Sequence, residues 1–520
     1  MRLLSAVLVM GALAVAQTPS ADQRIIAADL QRVRGPHSKV FRRCIGAGRA
    51  NEGLRADWQR QLAMVQRDIG FDYIRMHGLL HDDMGVYQQD AKGDPIYNFQ
   101  YIDQLYDALL RLHIKPFVEL GFMPSALASG KDTVFWWKGN VTPPNSYDKW
   151  AGLITALVQH WEQRYGAAEV KTWYFEVWNE PDIRPFYSST LEEYEKLYRV
   201  TAEAIKKVNP SYRVGGPASA IPYRFEEALV QFCAREGVPI DFVSTHAYGV
   251  KEGFFDDSGR RGTILDPDPG VVRNRMVHSR ELIRSSPLPN LELHFTEWSS
   301  AYTPTDWIHD QYHQAAFILD KIKGAQESVD SMSYWTFTDI FEEAGPRMTP
   351  FHGGFGLLNY QSIKKPAYYA FQFLSRLGET ELVDADKSSW ICANHDGGIQ
   401  TLFWDFTPIE PPDKMNDQVY YKRDLPPAPR PPVQLDLTNV PAGMYLEQVY
   451  RIGYRQNDAY TAYLDLGAPA QLTKEQVRAI SSVAGGEPSE SRILAIRDGR
   501  FAYRTPLHTN EVCLITLQKM

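Results

Sequence analysis

Short apolar runs alternate with amphipathic stretches along the first three quarters of the chain. Apolar residues recur at helical spacing in several of the intervening stretches, including 101–112, 149–165, 191–208 and 224–236. The apolar runs lack a regular polar–apolar alternation, which is typical of parallel strands that are buried on both faces. Eight runs of this kind predict the strands of a (β/α)8 barrel, a TIM barrel: 44–49, 71–77, 114–121, 173–180, 213–217, 241–248, 291–298 and 333–338.

Polar residues collect near the carboxyl ends of several predicted strands, where the loops of such a barrel build active sites. They are Arg75, His77, Asn179, Glu180, His246, Tyr248 and Glu297. A common position at one end of the barrel predicts that these side chains meet.

The pattern changes to short β-rich segments after about residue 375, at 390–393, 400–406, 433–437, 444–452 and 512–517. We therefore expect a barrel domain over 41–375 and an accessory β-sandwich over 376–520. Residues 409–432 are rich in proline, which cannot donate to a strand ladder, and predict an extended surface loop. Residues 17–40 are expected to pack on the accessory domain, with 25–30 as an edge strand.

The first residues have the pattern of a secretory signal. Arg2 precedes an apolar run over 3–14, and the small residues Ala14 and Ala16 follow, so cleavage is expected after residue 16. The alternative, a membrane anchor, needs about 20 apolar residues. The sequence thus predicts an exported protein, periplasmic or secreted, with no membrane partner after removal of residues 1–16.

Composition narrows the class of partner. The 520 residues carry a formal charge of −8 without long runs of either sign, which argues against nucleic acid or an anionic membrane as a partner. The 12 Trp and 28 Tyr offer flat surfaces for sugar rings, although a large core needs aromatic residues too. Four cysteines without close spacing favour buried free thiols over disulfides: Cys44, Cys233, Cys392 and Cys513.

Two acidic residues indicate the type of chemistry: Glu180 and Glu297, each at the end of a predicted strand. Hydrolysis of a glycosidic bond needs one carboxyl group to protonate the leaving oxygen and another to stabilise or capture the sugar carbon. We expect Glu180 to be the acid, with Asn179 donating to a sugar hydroxyl. Both can face one pocket only if a bulge or bend breaks the pleat at the end of the strand. The alternative for Glu180 is an ordinary surface carboxylate.

Other polar residues have two interpretations each. Arg75 either holds Glu297 ionised or pairs with a barrel acid such as Glu176. His77 and His246 either bind sugar hydroxyls or are satisfied structural histidines, and Tyr248 is a candidate to orient Glu297.

No metal or cofactor is expected. Histidines occur near two strand ends, but none has local ligand spacing such as His-Glu-x-x-His. His294 precedes Glu297 by three residues and should point away from the pocket in a regular strand.

The sequence resembles glycoside hydrolase family 39, the retaining β-xylosidase and α-L-iduronidase family, over nearly the whole barrel. The resemblance rests on Tyr-Ile-Arg-Met-His-Gly-Leu-Leu, Phe-Val-Glu-Leu-Gly-Phe-Met-Pro, Trp-Lys-Gly-Asn-Val-Thr-Pro-Pro, Phe-Glu-Val-Trp-Asn-Glu-Pro, His-Phe-Thr-Glu-Trp and Phe-His-Gly-Gly-Phe-Gly-Leu. It implies Glu180 as acid/base, Glu297 as nucleophile, Trp335 as the floor of the sugar site, and Glu342 or Glu343 as a ligand of sugar hydroxyls.

Two residues depart from the family pattern. Asp182 and Ser299 stand where the family often has Asn. Trp136 and Phe186 are candidates for the pocket mouth, with surface packing as the equal alternative.

The sequence therefore predicts an exo-acting retaining β-xylosidase that releases D-xylose from xylo-oligosaccharides. The alternatives are an iduronidase-like or other glycosidase on the same barrel and a non-catalytic carbohydrate-binding protein. A homo-oligomer is compatible with the sequence.

Overall fold

The computed structural model describes residues 23–255, 261–412 and 417–520. The predicted signal peptide, 1–16, lies outside the described residues.

Eight parallel strands close into a barrel, each bonded to the next and the eighth to the first, which confirms the predicted (β/α)8 fold. The strands are Cys44–Arg49, Tyr73–His77, Lys115–Leu120, Tyr174–Val177, Arg213–Ser219, Phe242–Tyr248, Glu292–Ser299 and Ser331–Tyr334. They are buried almost throughout, because helices cover the outside and side chains fill the inside.

Helices pack around the barrel with their apolar faces inward. Ser146 and Thr190 cap two of them by accepting from backbone N–H groups, and Gly237, at φ 67°, ends a third in the left-handed conformation. The α-helices are Ala56–Asp68, Gln100–Arg111, Tyr147–Tyr165, Ala167–Val170, Leu191–Val208, Arg224–Glu236, Val271–Arg284, His313–Ala325 and Pro366–Ser375. Short 3₁₀ helices lie at Val40–Arg42, Ala50–Leu54, Asp82–Met84, Ser125–Leu127 and Trp307–Asp310.

Among the described residues, three β-hairpins lie in the loops that follow the barrel strands. They pair Tyr87–Gln89 with Pro95–Tyr97, Thr133–Val134 with Gly139–Asn140, and Val250–Phe255 with Arg261–Leu265.

Two sheets pack face to face beside the barrel. The larger contains, in spatial order, Val33–Pro36, Thr380–Leu382, Ser389–Ala393, Ile399–Trp404, Val512–Lys519, Gly443–Ile452 and Glu490–Ile496, and the smaller contains Arg24–Asp29, Pro429–Thr438 and Arg500–His508. Ile26 and Leu435 of the smaller sheet share one apolar cluster with Phe403 and Ile515 of the larger. The chain's N-terminal segment therefore supplies one strand to each sheet. Helices Asp417–Tyr420, Ala459–Asp465 and Lys474–Val483 complete the elements.

The proline-rich stretch matches the predicted surface loop in part: residues 422–428 belong to no helix or strand and are mostly exposed, while residues 413–416 lie outside the described residues. Its last residues already belong to Pro429–Thr438, where a register shift between Arg430 and Val433 accommodates the prolines at the start of the strand. Earlier in the stretch, Tyr421 is fully buried, and its backbone oxygen accepts a 2.6 Å hydrogen bond from Gln311 of the barrel. Tyr421 therefore ties one part of this stretch to the barrel.

The four cysteines are buried and unpaired, as predicted. Among the described residues, none of the helices is both long enough and apolar enough to cross a membrane.

Candidate active site

The fourth barrel strand ends in the bend that the sequence required. Its regular pairing stops at Val177, and Trp178 and Glu180 have positive φ angles of 73° and 47°. Non-glycine residues rarely adopt this conformation, and the strain is held by surrounding contacts. One of these is the 2.9 Å hydrogen bond from Glu180 N to Ala218 O on the fifth strand. As a result, Asn179 and Glu180 are both buried at the same end of the barrel.

Glu297 receives two hydrogen bonds that stabilise an anion. Arg75 Nη1 donates to Oε1 over 2.7 Å, and the Tyr248 hydroxyl donates to Oε2 over 2.7 Å. Burial and the charge of Glu297 raise the pKa of Tyr248, so its hydroxyl keeps the proton that it donates. A guanidinium and a phenol on opposite oxygens fix the orientation of this carboxylate.

Arg75 joins several acids and is itself fully buried. Its Nε donates to Glu176 over 2.6 Å, and its Nη2 lies 2.8 Å from Asn179 Oδ1 and 2.9 Å from Glu119 Oε2. The structure therefore shows both of the pairings that the sequence left open, because Arg75 contacts Glu297 and Glu176 together. Burial opposes its charge, but the carboxylates of Glu176, Glu119 and Glu297 outweigh burial and raise the Arg75 pKa.

His246 lies between the two candidate catalytic acids. Its Nδ1 is 2.8 Å from Glu180 Oε1 and 3.5 Å from Glu297 Oε2. Burial, reinforced by the charge of Arg75, lowers the His246 pKa well below its usual value and keeps the ring neutral. One carboxylate oxygen of Glu180 and one of Glu297 lie within 4.8 Å of each other.

Glu180 and Glu297 lie close together in different surroundings. Burial raises the Glu180 pKa well above its usual value, and the negative charges of Glu297 and Asp182 raise it further. The pair thus combines a protonated carboxyl group with a carboxylate held by Arg75 and Tyr248. Such a pair can donate a proton to one atom and an electron pair to another.

His77, Trp335 and Glu343 form a wall beside Glu297. His77 Nε2 is 3.4 Å from Glu297 Oε1 and 3.5 Å from Glu343 Oε1, and the ring centroids of His77 and Trp335 are 4.8 Å apart. Trp335 fits here because Gly46 has no side chain: a Cβ at that position would lie 2.3 Å from the indole. Burial, and next the charge of Glu297, raise the Glu343 pKa well above its usual value.

Glu342 and Glu343 point to different surroundings. The Glu342 carboxylate accepts hydrogen bonds of 3.0 Å from Arg49 Nη2 and of 3.0 Å from Arg55 Nη1. Two guanidinium groups therefore engage Glu342, whereas Glu343 approaches His77. Of the two, Glu343 is the one that the structure brings to the wall of the site.

Some site residues were not identified from the sequence. Glu119 accepts from His77 Nδ1 over 2.6 Å, and its place as the only acidic residue in the predicted strand 114–121 was a usable signal. Phe135 stacks on His77 with a centroid distance of 5.8 Å. Tyr421 packs in one apolar cluster with Tyr248, and no local pattern indicates that contact.

A cation site is the alternative for this cluster. Among the described residues, close spacing of possible ligand atoms is found at Glu180, His246 and Glu297. A cation would need Glu180 deprotonated, while its surroundings favour the protonated form. Both Glu297 oxygens already accept hydrogen bonds. The donor set thus fits proton transfer better than metal binding.

His294 lies at the opposite end of the barrel and bonds to Ser331 and Glu292, which confirms that it points away from this site.

Comparison with known proteins agrees with the resemblance. The sequence profile of the family described as glycosyl hydrolases family 39 matches residues 24–498. A β-xylosidase from Geobacillus stearothermophilus is 38% identical over 495 residues, which cover 94% of either chain. A β-xylosidase from Caldicellulosiruptor saccharolyticus is 41% identical over 456 residues, 85% of this chain and 88% of the relative. The crystal structure of a monomeric β-xylosidase from Caulobacter crescentus CB15 superposes with a TM-score of 0.92 at 40% identity, covering 96% of this chain and 100% of the other.

Proposed function

Because the chain belongs to glycosyl hydrolases family 39, we propose that it is a retaining β-xylosidase that acts on xylo-oligosaccharides from their non-reducing ends. The observation that carries the mechanism is the convergence of Glu180 and Glu297 on His246, with carboxylate oxygens within 4.8 Å. Retaining enzymes hold their carboxyl groups about 5 to 5.5 Å apart, whereas inverting enzymes need about 6.5 to 9.5 Å to admit water.

In the first step, Glu297 attacks the anomeric carbon and a bond forms between its carboxylate oxygen and that carbon. The bond from the carbon to the leaving oxygen breaks, and Glu180 gives its proton to that oxygen. The raised Glu180 pKa supports this role, since it favours the protonated form that an acid needs.

In the second step, Glu180 removes a proton from water, and the water oxygen displaces Glu297 from the sugar. Glu180 is then protonated again and Glu297 is again a carboxylate. Two displacements on one carbon give net retention of configuration.

Neighbouring groups bind the sugar. Arg75 fixes the Asn179 amide by donating to its Oδ1, which leaves the Asn179 NH₂ group to donate to a hydroxyl beside the reacting carbon. Trp335 supplies a floor, and His77, His246 and Glu343 supply polar contacts. Tyr248 orients Glu297.

The arginines that contact Glu297 and Glu342 support a neutral sugar. Arg75, Arg49 and Arg55 each contact carboxylates of the protein, including Glu297 and Glu342. An iduronidase-like enzyme would need a cation to meet the carboxylate of its substrate. Initial rates on aryl xyloside, iduronide, arabinoside and glucoside test the assignment. We expect the xyloside to be preferred, and a preference for the iduronide would overturn it.

The nucleophile has a separate test. Glu297→Ala should lose hydrolysis, and azide should restore turnover by giving an inverted glycosyl azide. The matched variant is Glu180→Gln. Its first step should be slowed more on xylosides with poor leaving groups than on an activated aryl xyloside. A non-catalytic sugar-binding protein would bind xylose and show neither effect.

We also propose that the protein is exported after cleavage behind Ala16, which the pattern of residues 1–16 supports. Mass spectrometry of the mature N-terminus tests this. Retention of residues 1–16 on the native protein would contradict it.

A further inference from the structure

The tip of one hairpin brings three aromatic residues to the mouth of the site. Thr133–Val134 and Gly139–Asn140 pair as antiparallel strands, and residues 135–138 connect them. Lys138 N donates to Phe135 O over 3.2 Å, and both residues have positive φ, 65° at Phe135 and 58° at Lys138. The tip is therefore a tight turn with a defined backbone.

The first and third aromatic rings of this tip point inward. Phe135 stacks on His77 with an interplanar angle of 27°, so it extends the wall of the sugar site. Trp137 is buried, and the Arg49 guanidinium lies 5.5 Å from the centroid of its ring. These two contacts anchor the hairpin against the barrel.

Trp136, between them, is held in place by its backbone but leaves its ring in solvent. Its N–H donates to Glu343 O over 2.7 Å. Its ring lies against Gly345, where a Cβ would come within 3.2 Å of Trp136 Cδ1. Even so, Trp136 is 56% exposed. The indole is thus fixed on the loop that carries Glu343, next to the sugar-binding wall and outside it.

A single exposed aromatic residue is ordinary on a protein surface. Trp136 differs because its two flanking neighbours pack inward and its backbone bonds to a residue of the site wall. On this basis, and resting on the proposed function, we propose that the Trp136 indole is the platform for the leaving-group sugar of an oligosaccharide substrate. It would determine which leaving groups the enzyme prefers.

The chemistry suits a neutral pyranose. One face of a pyranose presents C–H groups, and an indole offers a flat apolar surface of matching size. Binding energy from this part of the substrate contributes to kcat/KM only when a leaving-group sugar is present. A substrate whose leaving group is a single atom gains nothing from the platform.

The test compares xylobiose with β-xylosyl fluoride, using the full-length enzyme. For Trp136→Ala, the ratio of kcat/KM on xylobiose to kcat/KM on the fluoride should fall about tenfold, the effect of losing one good apolar contact surface. Trp136→Phe keeps a smaller ring and should recover part of the ratio. The control is Ile493→Ala, a similarly exposed residue at 58% on a strand of the larger sheet, which should leave the ratio unchanged.

An unchanged ratio in Trp136→Ala, whether from no loss or from equal losses on both substrates, would overturn the platform. If the unaltered enzyme hydrolyses neither substrate, the proposed function itself is contradicted.

Discussion

The Tyr248 hydroxyl donates a 2.7 Å hydrogen bond to Oε2 of Glu297, the oxygen opposite the one that Arg75 contacts. This bond stabilises Glu297 as a free carboxylate more than as a glycosyl ester, because the ester carries no charge. Tyr248 should therefore matter most when Glu297 leaves the sugar.

Tyr248→Phe removes this hydrogen bond and little else. A hydrogen bond to a charged group contributes about 1.5 to 3 kcal/mol, so kcat on an activated aryl xyloside should fall roughly tenfold or more. Because the second step is slowed, a burst of released phenol should appear in stopped-flow traces. The control is Tyr101→Phe, the same change at a residue that is 48% exposed. Unchanged kcat in Tyr248→Phe would contradict the role.

Arg75→Met tests the cluster of buried acids. The variant would leave Glu176, Glu119 and Glu297 without their guanidinium, and an uncompensated buried charge costs about 3 to 5 kcal/mol. Urea unfolding should report a loss of this size. Arg67→Met, which breaks an exposed pair with Asp68, should change the unfolding free energy by less than about 1 kcal/mol. Equal effects of the two variants would show that Arg75 is not the anchor of the acids.

The barrel and the two acids were predictable because each depends on a local pattern. Strand-length apolar runs mark the strands, and Glu180 and Glu297 lie at the ends of two of them. The bend after Val177 followed from the need to turn Asn179 and Glu180 into one pocket.

Contacts between distant segments were not predictable in this way. The choice between Glu342 and Glu343 depends on Arg49 and Arg55, which lie almost 300 positions earlier in the chain, 293 and 287 residues from Glu342. The burial of Tyr421 likewise depends on Gln311, 110 residues away. Neither contact leaves a periodic trace in the sequence.

Asp182→Asn should shift the pH dependence of activity. The Asp182 carboxylate adds to the raised pKa of Glu180, after burial and the charge of Glu297. Other charged or titratable groups around Glu180 are His246, Arg75, Glu343 and Tyr248, and they stay in place. Removing the Asp182 charge lowers the Glu180 pKa, so the alkaline limb of the kcat/KM profile should move to lower pH.

Asp182 also accepts from Ala220 N and Ile221 N, over 2.9 and 2.7 Å, so thermal unfolding of the variant should be measured alongside. Asp396→Asn, at an exposed position, is the control. An alkaline limb that stays in place or moves to higher pH in Asp182→Asn would contradict the electrostatic role.

Glu52→Gln should change how stability depends on pH. Burial, and then the charge of Glu342, raise the Glu52 pKa to about 8. The folded state therefore holds this proton more tightly than the unfolded state, and the stability it contributes is lost as pH rises from about 4.5 toward 8. Gln cannot ionise, so the variant does not lose this contribution as pH rises. The difference in unfolding free energy, variant minus parent, should therefore be more positive at pH 8 than at pH 4.5. Parallel unfolding curves at both pH values would contradict this.

Covalent trapping tests most directly whether Glu297 is the residue that bonds to the anomeric carbon. A 2-deoxy-2-fluoro xyloside with an activated leaving group slows the second step more than the first, so the glycosyl-enzyme intermediate accumulates. Peptide mass spectrometry should then place the fluoroxylosyl group on Glu297 alone, and Glu297→Ala should remain unlabelled. A label on Glu343 or Glu180, or continued turnover with no labelled peptide, would contradict the account.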